Sequence, residues 1–142
     1  MESLIRHMRE FALDLLTSQG IDFELRTPPA SDPIKISLQV RRQLFLMFKE
    51  CIHNAARHSR CTAVVAELKV INREVLLTVE DNGIGVEFSE KKPSSAGTGI
   101  SGMQNRAKSL GGRMNLTTSP GQGCRVEIRV PVLRGAFARA VS

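Results

Sequence analysis

Two long segments of the chain repeat apolar residues at the spacing of a helix. Residues 2–18 carry apolar side chains every three or four positions and stop at Gly20, which predicts an amphipathic helix. Residues 37–58 predict a longer helix, for which Ser37 is a suitable N-cap. Its apolar stripe consists of Leu44, Phe48, Cys51, Ile52 and Ala55. Each helix therefore has one face that requires burial against another element.

Other segments alternate apolar and polar residues, the period of a half-buried strand. Residues 21–26 predict such a strand, and the prolines of residues 27–33 predict a connecting loop after it. A helix is expected from about Ile100 to Leu110, ended by Gly111 and Gly112. The remaining predicted strands are residues 62–71, 74–80, 113–119 and 123–130, with tight turns at 72–73 and 120–122.

These elements predict an α/β two-layer sandwich, with helices packed on one face of a mixed, mostly antiparallel sheet. At 142 residues the chain is long enough for one hydrophobic core. We expect one domain over residues 1–132, in which 1–36 form an N-terminal helix, strand and loop and 37–132 the core. Residues 133–142 are expected to be a poorly ordered tail.

Composition excludes several classes of function. The net charge is +6, but the chain has no Trp or Tyr and no dense Lys/Arg block, which argues against nucleic-acid binding. A mildly basic surface suits a triphosphate and an acidic protein partner instead. The three cysteines show no paired CxxC spacing, so neither a disulfide framework nor a zinc site is indicated.

A second stripe on the long helix is polar. Glu50, Asn54, Arg57 and His58 stand at i, i+4, i+7 and i+8, so they face one place beside the apolar stripe. An amide oxygen such as that of Asn54 is a suitable ligand for Mg²⁺ that also binds phosphate oxygens. A solvated helix surface is the alternative interpretation of Glu50.

Two glycine-rich segments follow, Asp81–Gly85 and Gly97–Met103. A carboxylate accepts a hydrogen bond from an exocyclic amine of a purine, and glycines let backbone N–H groups approach phosphates. For Asp81 alone, an Asp-Asn-Gly turn between strands would be the better interpretation.

Four motifs in order resemble the ATP-binding catalytic domain of two-component sensor histidine kinases. Residues 48–58 resemble its N box, 81–85 its first glycine box, 97–103 its second and 121–124 its closing motif. The resemblance runs from about Leu38 to Pro131 and implies the Bergerat-type ATP-binding fold shared with gyrase, the heat-shock chaperone and mismatch-repair ATPases. Two features are similar to the corresponding parts of the subfamily paired with helix-turn-helix response regulators. They are the short segment between the two glycine boxes and the helix after them, which contains Arg106.

The resemblance implies a role for each site residue. Asp81 is expected to accept from the adenine amino group, Asn54 to bind Mg²⁺, and Glu50 to orient a water or act as a base. Arg57 and His58 are expected to contact the phosphates. The glycine boxes are expected to place backbone against base, ribose and triphosphate; their residues are Gly83, Gly85, Gly97, Thr98, Gly99 and Ile100.

Two residues depart from the family pattern. Thr98 stands where the subfamily often has His, and Cys124 where Thr is common.

The lid, residues 86–96, is expected to be mobile without nucleotide and to become ordered when a triphosphate is bound.

The function implied is binding of Mg²⁺ and ATP and supply of the γ-phosphate for histidine autophosphorylation. The expected partners are the dimerisation domain that carries the acceptor histidine and a response regulator receiver domain. The chain has no apolar run of membrane-spanning length, so we expect it to be the cytoplasmic portion of a sensor. Two alternatives are an anti-sigma-factor serine kinase of the same superfamily and a nucleotide-binding module without transfer activity.

Overall fold

The computed structural model describes residues 2–28, 36–58, 60–83, 93–118 and 121–131, and of His58 and residues 93–100 it describes the backbone only. Three helices and five strands lie in these ranges. The helices are α1 (Glu2–Thr17), α2 (Leu38–His58) and α3 (Pro93–Ser109). The strands are β1 (Asp22–Arg26), β2 (Ala63–Ile71), β3 (Glu74–Asp81), β4 (Arg113–Thr118) and β5 (Cys124–Pro131).

The strands form a single five-stranded sheet in the order β1-β2-β3-β5-β4. β1 is parallel to β2, and every other neighbouring pair is antiparallel. The predicted mixed, mostly antiparallel sheet is therefore confirmed. This strand order puts β3 in the centre of the sheet, between β2 and β5. The residues that follow β3 therefore emerge from the middle of the sheet.

One face of the sheet packs against the helices and the other carries charge. Leu68, Leu77 and Ile128 are register partners on β2, β3 and β5, and all three are fully buried with Phe48 and Ile52 of α2. On the opposite face Arg125 lies 3.6 Å from Glu80 and 3.4 Å from Glu127. This alternation confirms the predicted two layers, because only the apolar face needs helices to exclude water.

Short-range signals set the helix ends as the sequence predicts. The Ser37 hydroxyl accepts a hydrogen bond from the Val40 N–H at 3.1 Å, which caps α2. Gly20 has a φ of +72°, and the Ile21 N–H donates to the Leu16 carbonyl at 2.9 Å. The bond pattern closes α1 with a left-handed residue that glycine adopts without steric cost. Gly111, with a φ of +79°, ends α3 in the same way.

The predicted start of α3 is wrong. The sequence indicated a helix from about Ile100, whereas the structure begins it at Pro93, so Gly97 and Gly99 lie within the helix and not at its first turn. Glycine in a helix interior loses more conformational entropy than other residues, which is why the glycine-rich segment predicted a non-helical lid. Proline is favourable at a first helical position, where its missing N–H has no partner to lose. The prediction that these glycines lie at the helix N-terminus is therefore also wrong.

Several predictions fall on residues outside the described ranges. They are the tail at 133–142, most of the loop after β1 and lid residues 86–92; lid residues 93–96 belong to α3. Within the ranges that are described, no helix is both long and apolar enough to cross a membrane.

Candidate functional site

Asp81 is the last residue of β3 and lies on the helix-facing side of the sheet. It pairs with Val64 of β2 and with Cys124 of β5. Its Oδ1 accepts a hydrogen bond from the Gly83 N–H at 2.9 Å, and the backbone N–H of Cys124 lies close enough to the carboxylate to lower its pKa. The carboxylate is therefore half-buried and oriented by the Gly83 N–H.

The environment shifts the protonation of Asp81. Burial raises the pKa of its carboxyl, the N–H groups of Gly83 and Cys124 lower it, and the nearby Glu80 charge raises it further. Burial has the largest effect, so the pKa lies above its usual value. A partly desolvated carboxylate gains more from a ligand's N–H donor than an exposed one, because water competes less for the acceptor.

Gly123 packs directly on the Asp81 backbone. Its φ is +83°, and a Cβ placed there would lie 3.0 Å from the Asp81 carbonyl carbon, 3.1 Å from the Asn82 Cα and closer still to the Asp81 oxygen. The Thr118 hydroxyl donates to the Gly123 carbonyl at 3.0 Å and fixes this turn from β4. Only glycine allows the closing motif to approach Asp81 so closely.

Helix α2 brings the N-box residues to the same end of the sheet. Cys51 is 5% exposed and its thiol donates to the Met103 sulfur of α3 at 3.7 Å. Burial raises the pKa of Cys51. Cys51 belongs to the same buried cluster as Val79 of β3 and Val126 of β5, and Cys124 packs against that cluster. This part of α2 therefore packs beside the ends of β3 and β5. Cys51 is a core residue, as its position on the apolar stripe predicts.

The polar stripe of α2 continues from this junction toward solvent. Glu50 and Asn54 are half-buried and Arg57 is exposed, while the side chain of His58 lies outside the described part. Glu50 adjoins Cys51 and Asn54 follows one helical turn later. Along α2, exposure therefore increases from Glu50 and Asn54 to Arg57.

The glycine boxes are only partly described. Gly83 is buried and donates to Asp81, whereas Gly85 lies outside the described ranges. Gly97, Thr98, Gly99 and Ile100 belong to the first half of α3, whose backbone alone is described. The second half of α3 is held to α2 by the Cys51–Met103 contact and by Arg106, which donates to the Gln43 Oε1 at 2.7 Å.

Cys124 is the β5 residue that pairs with Asp81. Burial raises the pKa of its thiol to about 11, and the charge of Asp81 contributes to the shift. The thiol is therefore neutral near pH 7. A thiol is a weaker hydrogen-bond donor than a hydroxyl.

The histidines outside the N-box stripe pack with aromatic rings. His53 lies edge-on to Phe11, with ring centroids 5.4 Å apart, and His7 lies 6.2 Å from Phe45. The Lys49 ammonium is 5.3 Å from the centre of the Phe11 ring and 5.5 Å from that of Phe45. Both histidines thus belong to the α1–α2 seam.

Sequence reasoning missed the structural importance of Asn82 and Gly123. Asn82 lies in the first glycine box and Gly123 in the closing motif. At each turn, the sequence signal was a glycine flanked by polar residues. No cluster of three or more potential metal ligands occurs among the described side chains. A Mg²⁺ ion here would therefore depend on Asn54 together with phosphate oxygens, a donor set that suits its preference for oxygen ligands.

The geometry agrees with comparisons to known proteins. Residues 39–134 match the family of histidine kinase-, DNA gyrase B-, and HSP90-like ATPases. The chain belongs to this family. The match covers α2, the whole of the Asp81 site and every strand except β1, so the family resemblance of the four motifs is confirmed.

Relatives of the chain are named as a sensor protein and a sensor histidine kinase. The chain is 31% identical to the sensor protein VraS of Staphylococcus saprophyticus over 93% of its own length and 40% of that protein. It is 29% identical to the sensor histidine kinase ComP of Bacillus subtilis over 84% of its length and 16% of that protein. The chain thus corresponds to less than half of each of these relatives.

Solved histidine kinase structures share the fold. The blue-light activated histidine kinase of Erythrobacter litoralis EL346 matches with a TM-score of 0.74 and 20% identity, over 92% of this chain and 42% of that one. Full-length ShkA in complex with AMPPNP matches with a TM-score of 0.75 and 20% identity, over 92% and 30% of the two chains. The chain is a histidine kinase-type ATPase domain by family and by fold.

Proposed function

We propose that this domain binds Mg²⁺ and ATP and presents the γ-phosphate to a histidine on the dimerisation domain of the same sensor kinase. The observation that carries the proposal is the Asp81 carboxylate, half-buried at the end of the central strand and oriented by the Gly83 N–H. An acceptor fixed in this way selects a ligand that offers an N–H donor.

The adenine end of the site is set by this acceptor. Asp81 accepts from the 6-amino group of adenine, whereas guanine presents a 6-oxo group that would leave two acceptors facing each other. Leaving a partly buried polar group unpaired costs about 1–3 kcal/mol, which corresponds to roughly a tenfold or larger preference for adenine. Val79 and Val126, which are 4% and 6% exposed, supply apolar surface next to Asp81.

The phosphate end follows α2. Asn54 would hold Mg²⁺ through its amide oxygen, with Glu50 one turn earlier orienting a water and Arg57 and His58 contacting phosphate oxygens. The ion would neutralise phosphate charge when bound. Gly83 and Gly85 would place backbone against the base and ribose, and the first half of α3, with Gly97, Thr98, Gly99 and Ile100, would lie beside the triphosphate. Positioning and charge neutralisation account for most catalysis of phosphoryl transfer.

The acceptor histidine comes from a separate domain. His53 and His7 lie in the α1–α2 seam against Phe11 and Phe45. His58 would contact phosphates, which is a different role from attack on phosphorus. The relatives named as sensor kinases support a dimerisation domain and a response regulator receiver domain as partners, with the ATPase domain in the cytoplasm.

Phosphoryl transfer in trans tests the proposal. Labelled ATP is supplied to the domain alone and then together with its dimerisation domain. We expect acid-labile label on the added domain only, and Asp81→Asn should weaken ATP binding at least about tenfold in calorimetry. Label on the domain alone that disappears in His7→Ala would show that the acceptor has been misassigned.

The same assay separates the alternative functions. Acid-stable label on a serine of a small protein antagonist would favour an anti-sigma-factor kinase. Nucleotide binding without transfer to either acceptor would favour a regulatory module. The name of ComP, a sensor histidine kinase, favours the histidine kinase.

A further inference from the structure

The side chain of Asn82 joins the first glycine box to the beginning of β2. Its Oδ1 accepts from the Thr62 N–H at 2.9 Å and from the Ala63 N–H at 3.1 Å. Its Nδ2 donates to the Thr62 hydroxyl at 2.9 Å. The Asn82 N–H also donates to the Ala63 carbonyl at 3.4 Å. One residue thus continues the β2–β3 pairing past the last regular pair.

This junction lies between two groups of the nucleotide site. Asn82 follows Asp81, whose carboxylate lies on the helix-facing side of the sheet. It precedes Gly83, whose N–H donates to that carboxylate. The φ and ψ angles of Asn82 therefore determine where the Gly83 N–H lies relative to Asp81. With its amide bonded to two successive backbone N–H groups, the side chain holds those angles in one arrangement.

A purely local turn would not need these bonds. The partners are Thr62, just before β2, and Ala63, the first residue of β2, which lie 20 and 19 residues earlier in the chain. Gly123 packs on the other side, against the Asp81 carbonyl and the Asn82 Cα. Asn82 is thus held between β2 and the closing motif, and the Asp81–Gly83 turn is fixed from both flanks.

We propose that Asn82 is a positioning residue for base selection, which aims the Asp81 carboxylate at the adenine amino group by tying the glycine box to Thr62 and Ala63. The proposal rests on the proposed function of Asp81 as the adenine acceptor. Asn82 acts through Asp81, so its removal should cost affinity only for nucleotides that donate to that carboxylate.

The test compares ATP with purine riboside triphosphate, which lacks the 6-amino group. In the wild-type domain we expect ATP to bind at least about tenfold more tightly. Asn82→Ala should reduce that preference to about threefold or less and leave the affinity for purine riboside triphosphate nearly unchanged. Affinities are measured by calorimetry well below the unfolding temperature of each variant, so that only folded protein is compared.

Two further variants serve as controls. Thr62→Val removes the hydroxyl and one of the three side-chain bonds, but keeps both N–H donors to Asn82, so it should retain most of the preference. Asn82→Asp keeps an oxygen for the two N–H groups and should recover preference relative to Asn82→Ala. In an Asp81→Asn background, Asn82→Ala should lower ATP affinity no further.

The outcomes separate this inference from the function on which it rests. Equal loss of affinity for both nucleotides in Asn82→Ala, or no loss for either, would overturn the positioning role and leave a structural one. Undiminished ATP binding in Asp81→Asn would instead refute the adenine-acceptor function itself. Selectivity lost in Asn82→Ala and additive with Asp81→Asn would also count against action through Asp81.

Discussion

Gly123→Ala should damage both the stability and the nucleotide site of this domain. The new Cβ would lie 3.0 Å from the Asp81 carbonyl carbon and 3.1 Å from the Asn82 Cα, and still closer to the Asp81 oxygen. These are backbone atoms of the central strand, which cannot rotate away as a side chain would. The φ of +83° at this position adds a second penalty.

The magnitude follows from these two effects. A left-handed backbone costs a residue with a Cβ about 1–2 kcal/mol, and forced overpacking costs about 1–3 kcal/mol. We therefore expect Gly123→Ala to lower the free energy of unfolding by roughly 2–5 kcal/mol. ATP affinity should also fall at least about tenfold, because a shift of the Asp81 backbone would move the carboxylate from the position in which the Gly83 N–H holds it.

Gly121→Ala is the matched control. Gly121 lies in the same turn with a similar φ of +77°, but a Cβ there would meet no atom within 4 Å. It should cost only the backbone penalty, about 1–2 kcal/mol, and leave ATP affinity unchanged. Denaturant unfolding and calorimetry measure the two quantities. Equal effects of the two substitutions on stability and on affinity would refute the argument from the Asp81 contact.

Three other predictions concern single groups. Ser37→Ala should lower stability by about 1 kcal/mol through loss of the α2 cap, with Ser18→Ala as an exposed control in denaturant unfolding. Burial raises the pKa of Asp81, so ionisation of its carboxyl opposes folding. The free energy of unfolding of Asp81→Asn relative to wild type should therefore increase as pH rises from below the usual Asp pKa through the raised one. An unchanged relative stability would contradict the burial effect. ATP affinity should fall over the same range on acidification. Asn54→Ala should weaken binding of Mg²⁺ and ATP but spare adenosine in calorimetry, and equal losses would make Asn54 structural.

Local sequence determined the elements and much of the site's chemistry. The helical period predicts α1 and α2, and the strand period predicts all five strands to within a few residues, because burial of one face imposes these spacings. Gly20 and Gly111 end helices through bonds within a single turn. The four motifs identify the family. The helical spacing of Glu50, Asn54 and Arg57 puts these residues one after another along α2. These features depend on residues a few positions apart.

The tertiary structure decided how the carboxylate of Asp81 is held. The bonds of Asn82 to Thr62 and Ala63 and the contact of Gly123 with the Asp81 backbone join residues far apart in sequence. They exist because β3 lies between β2 and β5, an order that hydrophobic period alone does not specify. The start of α3 is a similar case: local glycine preference indicated a loop, whereas the structure begins the helix at Pro93. Periodicity encodes which faces are buried, but not which distant backbone groups meet there.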